Sequence, residues 1–182
     1  MAATFAHESI PRQAAVPRSV DELLALDVPT LERLYREARV PAIQEVKGNL
    51  VGRMLPAPAA HPAVQDAMRA FARQSFFPWR GKTFAPRDAH GGEGWNRVFS
   101  DKNLWFRFTT SIGPSRAGAF DALHLDYDHP ENPFFIRAIQ DEIRTVAPGL
   151  WLGQAWLVLG GKPSLGENGR AWLALYFALQ NP

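Results

Sequence analysis

The second half of the chain alternates apolar and polar residues with the period of two that is typical of β-strands. Residues 104–112 carry an apolar or threonine side chain at every second position, and residues 119–128 alternate in the same way. Two further apolar runs, 150–159 and 170–180, are separated by the turn-forming segment GGKPSLGENG and predict a hairpin. Because both faces of this hairpin are largely apolar, we expect one face to contact helices and the other to line a shared interior.

The first half of the chain predicts short helices. Ser19 and Glu22 fit a capping box that begins a helix ending near Leu26, and Pro29 begins a second helix. We expect these two helices to form a lid or plug over one end of the sheet. A third helix is predicted to begin at Pro62, and the apolar stripe expected to face the core consists of Val64, Met68, Phe71 and Ala72.

The order of these elements predicts a mainly β (α+β) fold. We expect an antiparallel barrel or a strongly curved sheet, preceded and capped by the short N-terminal helices. The first strand is predicted within residues 45–55. Residues 1–18 are rich in alanine and proline without a period, so they are predicted to form a disordered or loosely docked arm, and residues 19–182 a single domain.

Composition adds an aromatic interior to this picture. Aromatic residues make up 12% of the chain, with six tryptophans and twelve phenylalanines, and most of them follow residue 76. The formal charge of +2 with no basic stripe argues against nucleic-acid binding, and the absence of cysteine excludes disulfides, thiolate zinc sites and a cysteine nucleophile. The N-terminus shows no secretory-signal pattern and no apolar run spans a membrane, so we expect a cytoplasmic protein.

Several short motifs between residues 48 and 153 resemble those of the small bacterial lipocalin-like (calycin-type) β-barrels, especially those with G-x-W-x-G on the first strand. The motifs are Gly48-Asn49-Leu50-Val51-Gly52, Trp79-x-Gly81-Lys82-x-Phe84, Leu125-Asp126-Tyr127, Asn132-Pro133, Asp141-x-x-Arg144 and Pro148-Gly149-Leu150-x-Leu152-Gly153. This sequence departs from the pattern at Leu50, where such barrels place tryptophan. The resemblance implies a barrel that holds an apolar small molecule or lipid, although some such barrels act as cofactor-free enzymes.

A second fold remains open at this point. An NTF2-like α+β cone also begins with helices and wraps a curved antiparallel sheet behind them. Both folds enclose an apolar pocket at the open end of a sheet.

His124, Asp126 and Asp128 form the most distinctive cluster of candidate catalytic residues. Strand alternation places the three side chains on one face, about 7 Å apart in succession. If that face is the interior, His124 is a candidate general base oriented by Asp126, and the three side chains are also candidate metal ligands. If Leu123, Leu125 and Tyr127 point inward instead, the cluster faces outward; we favour this second arrangement and expect no metal site.

Arg107 is the candidate polar anchor for a ligand, because it lies on a strand of large aromatic residues. An arginine in an apolar pocket can bind a carboxylate or enolate with two parallel hydrogen bonds. The alternatives are a solvent-facing position and a structural ion pair with Asp141, Glu142 or Asp126.

The last predicted strand supplies the clearest sign of a cavity. One of its faces alternates large and small side chains, namely Arg170, Trp172, Ala174, Tyr176 and Ala178. Small residues between large rings leave room for a ligand. The candidate ligand-binding residues are Arg107 together with Trp79, Tyr127, Gln154, Trp156, Trp172 and Tyr176.

These features predict a protein that binds an apolar or aromatic small molecule of the lipid or natural-product type in the barrel interior, without a cofactor. The alternative is a cofactor-free biosynthetic cyclase, isomerase or dehydratase that uses the same pocket, with His124 or Asp126 moving a proton. A homodimer through the apolar hairpin is a further possibility that the sequence leaves open.

Overall fold

The computed structural model describes residues 16–159 and 170–182, which form a closed barrel of eight antiparallel strands. Most of the predicted N-terminal arm and the predicted turn 160–169 therefore lie outside the described residues. The strands are β1 (Gly48–Met54), β2 (Trp79–Pro86), β3 (Gly92–Val98), β4 (Leu104–Pro114), β5 (Asp121–Asp126), β6 (Ile139–Ala147), β7 (Leu150–Leu159) and β8 (Arg170–Gln180).

Each strand pairs with the next one along the chain, and β8 closes the barrel by pairing with β1. The closing register places Met54 opposite Phe177 and Val51 opposite Gln180. A closed barrel confirms the mainly β prediction and excludes the open cone as the fold of the described chain.

The strands divide their side chains between two apolar layers, as their alternation predicts. Inside the barrel lies a core of Leu50, Phe84, Phe108, Leu123, Leu125, Tyr127, Ile143, Trp151, Phe177 and Leu179. Outside the barrel, Leu152 and Ala178 pack with residues of the N-terminal helices, including Leu23 and Leu31. The last hairpin is thus covered on both faces, as expected.

The helices are α1 (Val20–Leu24), α2 (Val28–Glu37), α3 (Pro62–Ala72) and α4 (Phe134–Arg137), with one turn of 3-10 helix at Ile43–Glu45. Ser19 caps α1 by accepting a hydrogen bond from the backbone N–H of Glu22, as predicted. The Glu22 carboxylate in turn accepts from the backbone N–H of Arg18.

The expectation that α1 and α2 form a lid or plug over one end is wrong. Both helices pack against the outer wall, because their apolar stripes match the outward residues of β7 and β8. Ile43 and Val46, just before β1, instead pack into the interior core. They close the end at which β1 begins, and we call the opposite end the mouth.

The stripe of α3 is also less buried than predicted. Ala72 is buried, but Val64 is 51% exposed and Phe71 is 46% exposed. The helix joins β1 to β2 at the mouth, where only its last turn reaches the outer apolar layer. None of the helices in the described ranges is long and apolar enough to cross a lipid bilayer.

Candidate functional site

A β-bulge at the start of β2 turns Trp79 and Lys82 toward the same side of the strand. In a regular strand, residues three positions apart point to opposite faces. The pairing of β2 with β3 shifts by one residue between Trp79 and Gly81, so both side chains face the interior. Gly81 permits the bulge because its φ is +128°, and a Cβ there would collide with the carbonyl oxygen of Leu50.

Lys82 is the centre of a polar group inside the barrel, and it is only 3% exposed. Its Nζ donates to Asn96 Oδ1 and to Asp141 Oδ2, each at 2.9 Å, and also to the hydroxyl of Tyr127. Three acceptors match the three N–H donors of an ammonium group. Asp141 supplies the opposite charge that a buried ammonium needs.

The partners of Lys82 are also bonded to one another. Tyr127 donates to Asp141 Oδ2 at 2.9 Å, Asn96 Nδ2 donates to Tyr127 at 3.1 Å, and Trp79 Nε1 donates to Asn96 Oδ1 at 2.9 Å. We call these five residues, Trp79, Lys82, Asn96, Tyr127 and Asp141, the interior polar cluster. They come from β2, β3, β6 and the residue after β5, so only barrel closure brings them together.

Aromatic rings surround the Lys82 ammonium. The ring centroids lie between 5.1 and 5.5 Å from Nζ and belong to Trp79, Phe108, Tyr127 and Phe177. Burial lowers the pKa of Lys82, and the charge of Asp141 acts in the opposite sense. Burial also raises the pKa of Tyr127 well above its ordinary value, so its hydroxyl stays protonated at neutral pH.

Two cavities adjoin the cluster at the mouth. The Tyr127 lobe has a volume of about 270 Å³, and its lining includes Phe106, Tyr127, Ile136 and Ile139. The Phe177 lobe has a volume of about 200 Å³, and its lining includes Met54, Phe77, Leu175 and Phe177. Trp79, Lys82, Asp141 and Ala155 line both. Together the lobes reach the range of roughly 300–1,000 Å³ that is common for small-ligand sites.

Asp141 leaves one acceptor unused. Its Oδ2 receives the hydrogen bonds of Lys82 and Tyr127, whereas Oδ1 is buried and has no hydrogen-bond partner within the described chain. An unsatisfied buried oxygen costs free energy. Asp141 lines both lobes, so this unpartnered acceptor belongs to a residue of the cavity wall.

Two of the residues predicted to bind a ligand, Trp79 and Tyr127, belong to this cluster. Leu123, Leu125 and Tyr127 point inward, which is the arrangement favoured from sequence. Trp79 lies at the mouth, where its ring contacts that of Phe177 edge-on at a centroid distance of 5.9 Å.

The two candidate catalytic residues, His124 and Asp126, project from the outer wall and line neither lobe. His124 is buried there: its Nε2 lies 3.1 Å from the carbonyl oxygen of Gly113, and its Nδ1 lies 3.8 Å from Glu142. Asp126 accepts a hydrogen bond from the backbone N–H of Asp128. Neither side chain is therefore placed to exchange a proton with a molecule in the lobes.

Glu142 is a fully buried carboxylate of the same outer wall. It accepts hydrogen bonds from the Ser115 hydroxyl at 2.6 Å and from the backbone N–H of Arg116 at 3.0 Å, and Tyr35 of α2 contributes a third at 3.3 Å. These bonds tie α2 and the segment after β4 to the barrel. We interpret this group as structural because the Glu142 carboxylate is fully buried and lines neither lobe.

Arg107 also lies outside the barrel interior. Its guanidinium is held between Glu93 at 2.8 Å and Glu131 at 3.1 Å, which are not the ion-pair partners suggested from sequence. The hydrogen bonds to these two carboxylates raise the pKa of Arg107.

The remaining predicted ligand-binding residues lie on the outer wall or at the edge of the mouth. Gln154 donates to the hydroxyl of Tyr176, and Tyr176 packs in the outer apolar layer. Trp156 pairs across the strands with the outward residue Gln140. Trp172 is half-exposed and pairs with Leu157.

A bulge explains why the face of β8 differs from the expected one. The register between β7 and β8 shifts between Ala155 and Trp156, so Trp172 pairs with Leu157 on the inward face that Leu175 shares, while Tyr176 faces outward. Strict alternation placed Trp172 and Tyr176 on one face, and the inserted residue separates them.

Three members of the cluster, Lys82, Asn96 and Asp141, were not among the residues predicted from sequence to form the site. A signal existed for Lys82, since the run Trp79-Arg80-Gly81-Lys82 suggests an aromatic ring and a cation at a barrel mouth. Asp141 carries no such local signal. Its role follows only from the distance of 2.9 Å to Lys82 across the barrel.

The described ranges contain no group of three or more histidine, cysteine, aspartate or glutamate side chains that could hold a metal ion.

Comparisons with known proteins do not assign the chain to a family. No protein-family model and no curated protein matches the chain. The chain is similar to the crystal structure of a protein from Thermomonospora curvata, with a TM-score of 0.47 and 17% identity over 86% of this chain and 88% of that one.

Proposed function

We propose that the protein is a lipocalin-like carrier that binds an apolar or aromatic small molecule in the two lobes at the mouth. The observation that carries this proposal is the unpartnered Oδ1 of Asp141 in the wall of a largely apolar cavity. The apolar lining supplies affinity, since burying apolar surface contributes about 25 cal/mol per Å². A hydrogen bond to the buried oxygen of Asp141 orients the ligand.

The cluster also indicates what the polar end of the ligand is. The three donors of Lys82 are taken, and the Tyr127 hydroxyl and the Trp79 N–H each already bond within the cluster. What remains free is an acceptor, Asp141 Oδ1. The ligand that fits best therefore carries a hydrogen-bond donor, such as an alcohol or a phenol, whereas a carboxylate would meet the charge of Asp141.

Native mass spectrometry of the gently purified protein tests the carrier proposal directly. We expect an apolar molecule to co-purify near unit stoichiometry and to be released on denaturation. A protein that carries no such molecule, and that also binds none of the probes below, would disprove the proposal.

Matched probes test the donor preference separately. Calorimetry should show that 2-naphthol and decan-1-ol bind about 10-fold or more tightly than their methyl ethers, because a hydrogen bond to a charged group contributes about 1.5–3 kcal/mol. Equal affinities for alcohol and ether would leave the carrier proposal standing but would rule out Asp141 Oδ1 as the acceptor.

Two variants locate the site. Ala155 lines both lobes, so Ala155→Leu should fill part of each and weaken binding of 2-naphthol while every residue of the cluster is retained. Tyr176→Phe alters an outer-wall hydroxyl and should leave the affinity unchanged. Loss of binding in Tyr176→Phe with retention in Ala155→Leu would place the site on the outer wall instead.

A further inference from the structure

Exposed apolar side chains are concentrated at the mouth. Of the twelve large apolar side chains that are exposed in the described chain, Val16 and Ile112 lie toward the closed end. The other ten lie on segments that join strands at the mouth or on strand ends there; they are Val64, Phe71, Phe76, Phe99, Leu104, Trp105, Phe134, Phe135, Leu159 and Trp172. Large exposed apolar patches mark interaction sites.

These side chains belong to three connections around the opening and to the ends of β4, β7 and β8 there, and two of them adjoin residues that line the lobes. Phe76 precedes Phe77, which lines the Phe177 lobe, and Phe135 precedes Ile136, which lines the Tyr127 lobe. Phe134 is 84% exposed, more than any other large apolar side chain in the described ranges. Exposed aromatic side chains thus lie next in sequence to residues that line each lobe.

The charges of the same segments favour an anionic partner. The carboxylates of the described connecting segments each contact an arginine, in the pairs Asp66–Arg69, Asp101–Arg97, Asp128–Arg137 and Glu131–Arg107, and Arg107 is shared with Glu93. Asp126, at the end of β5, forms no salt bridge with a described residue. Arg73, Arg80 and Lys102 likewise form no salt bridge with any described residue. The mouth therefore presents uncompensated positive charge among exposed aromatic rings.

We infer that the mouth docks on the surface of a lipid bilayer that contains anionic phospholipids. Phenylalanine and tryptophan side chains insert at the boundary between headgroups and acyl chains, and basic residues bind the negative headgroups. The half-exposed stripe of α3 lies beside Arg69 and Arg73 and adds an amphipathic helix to this surface. A second copy of the chain bound over the mouth would block the entrance to the lobes. A bilayer would leave the entrance open to an apolar ligand, because the bilayer is itself an apolar phase.

Co-sedimentation with vesicles tests this inference whether or not a ligand is known. The full chain should bind vesicles of phosphatidylcholine with phosphatidylserine, and bind phosphatidylcholine vesicles more weakly. Phe134→Ser/Phe135→Ser should weaken binding about 10-fold or more, because it removes two inserting rings. Arg73→Gln/Lys102→Gln should weaken binding to the anionic vesicles by about a factor of five for each residue removed.

The matched control is Val16→Ser/Ile112→Ser, which removes the two exposed apolar residues toward the closed end. It should bind vesicles as the unmodified chain does. The inference is overturned if the chain binds neither vesicle at low ionic strength, or if the control weakens binding as much as the change at Phe134 and Phe135. Concentration-dependent dimers that Phe134→Ser/Phe135→Ser dissolves, without vesicle binding, would overturn it too and assign the surface to a second copy.

Discussion

Lys82 and Asp141 illustrate at the scale of single residues how a charged pair is tolerated inside an apolar barrel. Both side chains are almost completely buried, and the ammonium is coordinated by three oxygen acceptors and surrounded by aromatic rings. Removing one partner of such a pair leaves a buried charge without compensation, whereas replacing both by apolar groups is often close to neutral. Each member of the pair thus depends on the other, although the pair as a whole adds little net stability.

Lys82→Met should accordingly lower the free energy of unfolding by about 3–5 kcal/mol, because Asp141 remains buried without its counter-charge. The double variant Lys82→Met/Asp141→Leu should recover most of that loss. Urea unfolding at neutral pH measures both. A single variant as stable as the unmodified chain would show that the pair is not buried as described.

The bulge in β2 is the feature that decides the site at the scale of secondary-structure elements. It places Trp79 and Lys82 on one side of the strand, and it depends on Gly81, whose φ of +128° is outside the range that other residues adopt readily. Gly48 also has a positive φ, +75°, but nothing lies within 4 Å of the position a Cβ would take. Substitution of Gly48 therefore tests backbone strain alone, whereas substitution of Gly81 adds a steric collision.

Gly48→Ala should cost about 1–2 kcal/mol of unfolding free energy, the ordinary penalty for a left-handed residue with a side chain. Gly81→Ala should cost more, because β1 and β2 must also separate to relieve the contact with Leu50. It should also weaken binding of 2-naphthol, since Trp79 and Lys82 shift with the strand. Equal stability losses in urea unfolding of the two variants would contradict this role of the bulge.

At the scale of the whole molecule, the ionisation of the three tyrosines indicates whether the chain is folded. Tyr127 lies inside the barrel, and Tyr35 and Tyr176 lie between the barrel and the N-terminal helices. Burial raises the pKa of each of them, and for Tyr35 and Tyr127 well above the ordinary value. The folded chain therefore holds phenolic protons that the unfolded chain releases near pH 10.

An alkaline titration followed by phenolate absorbance should show less ionisation near pH 10 in the folded protein than in the unfolded chain. Because the folded state then binds more protons than the unfolded state, these groups make the free energy of unfolding fall as pH rises above about 10. Phenolate should appear together with the loss of tertiary structure, whereas in urea all three tyrosines should titrate near their ordinary pKa. Titration of all three tyrosines near pH 10 in the folded chain would contradict the described burial.

The alternation along the chain was sufficient to predict the mainly β fold, the last hairpin with both faces covered, and the inward face of Leu123, Leu125 and Tyr127. It was sufficient because a side chain's face in a regular strand depends only on its position along that strand. The cap at Ser19 was equally predictable, since it involves residues only three apart.

The positions of the bulges and the membership of the interior polar cluster depended on tertiary structure. A bulge inserts one residue and exchanges the faces of everything beyond it, and only pairing with the neighbouring strand shows where it lies, as at Gly81 and at Trp156. Lys82 and Asp141 are 59 residues apart in sequence and meet only because the barrel closes. The local pattern thus determined strands and their apolar faces, and the closure of the sheet determined which polar residues share its interior.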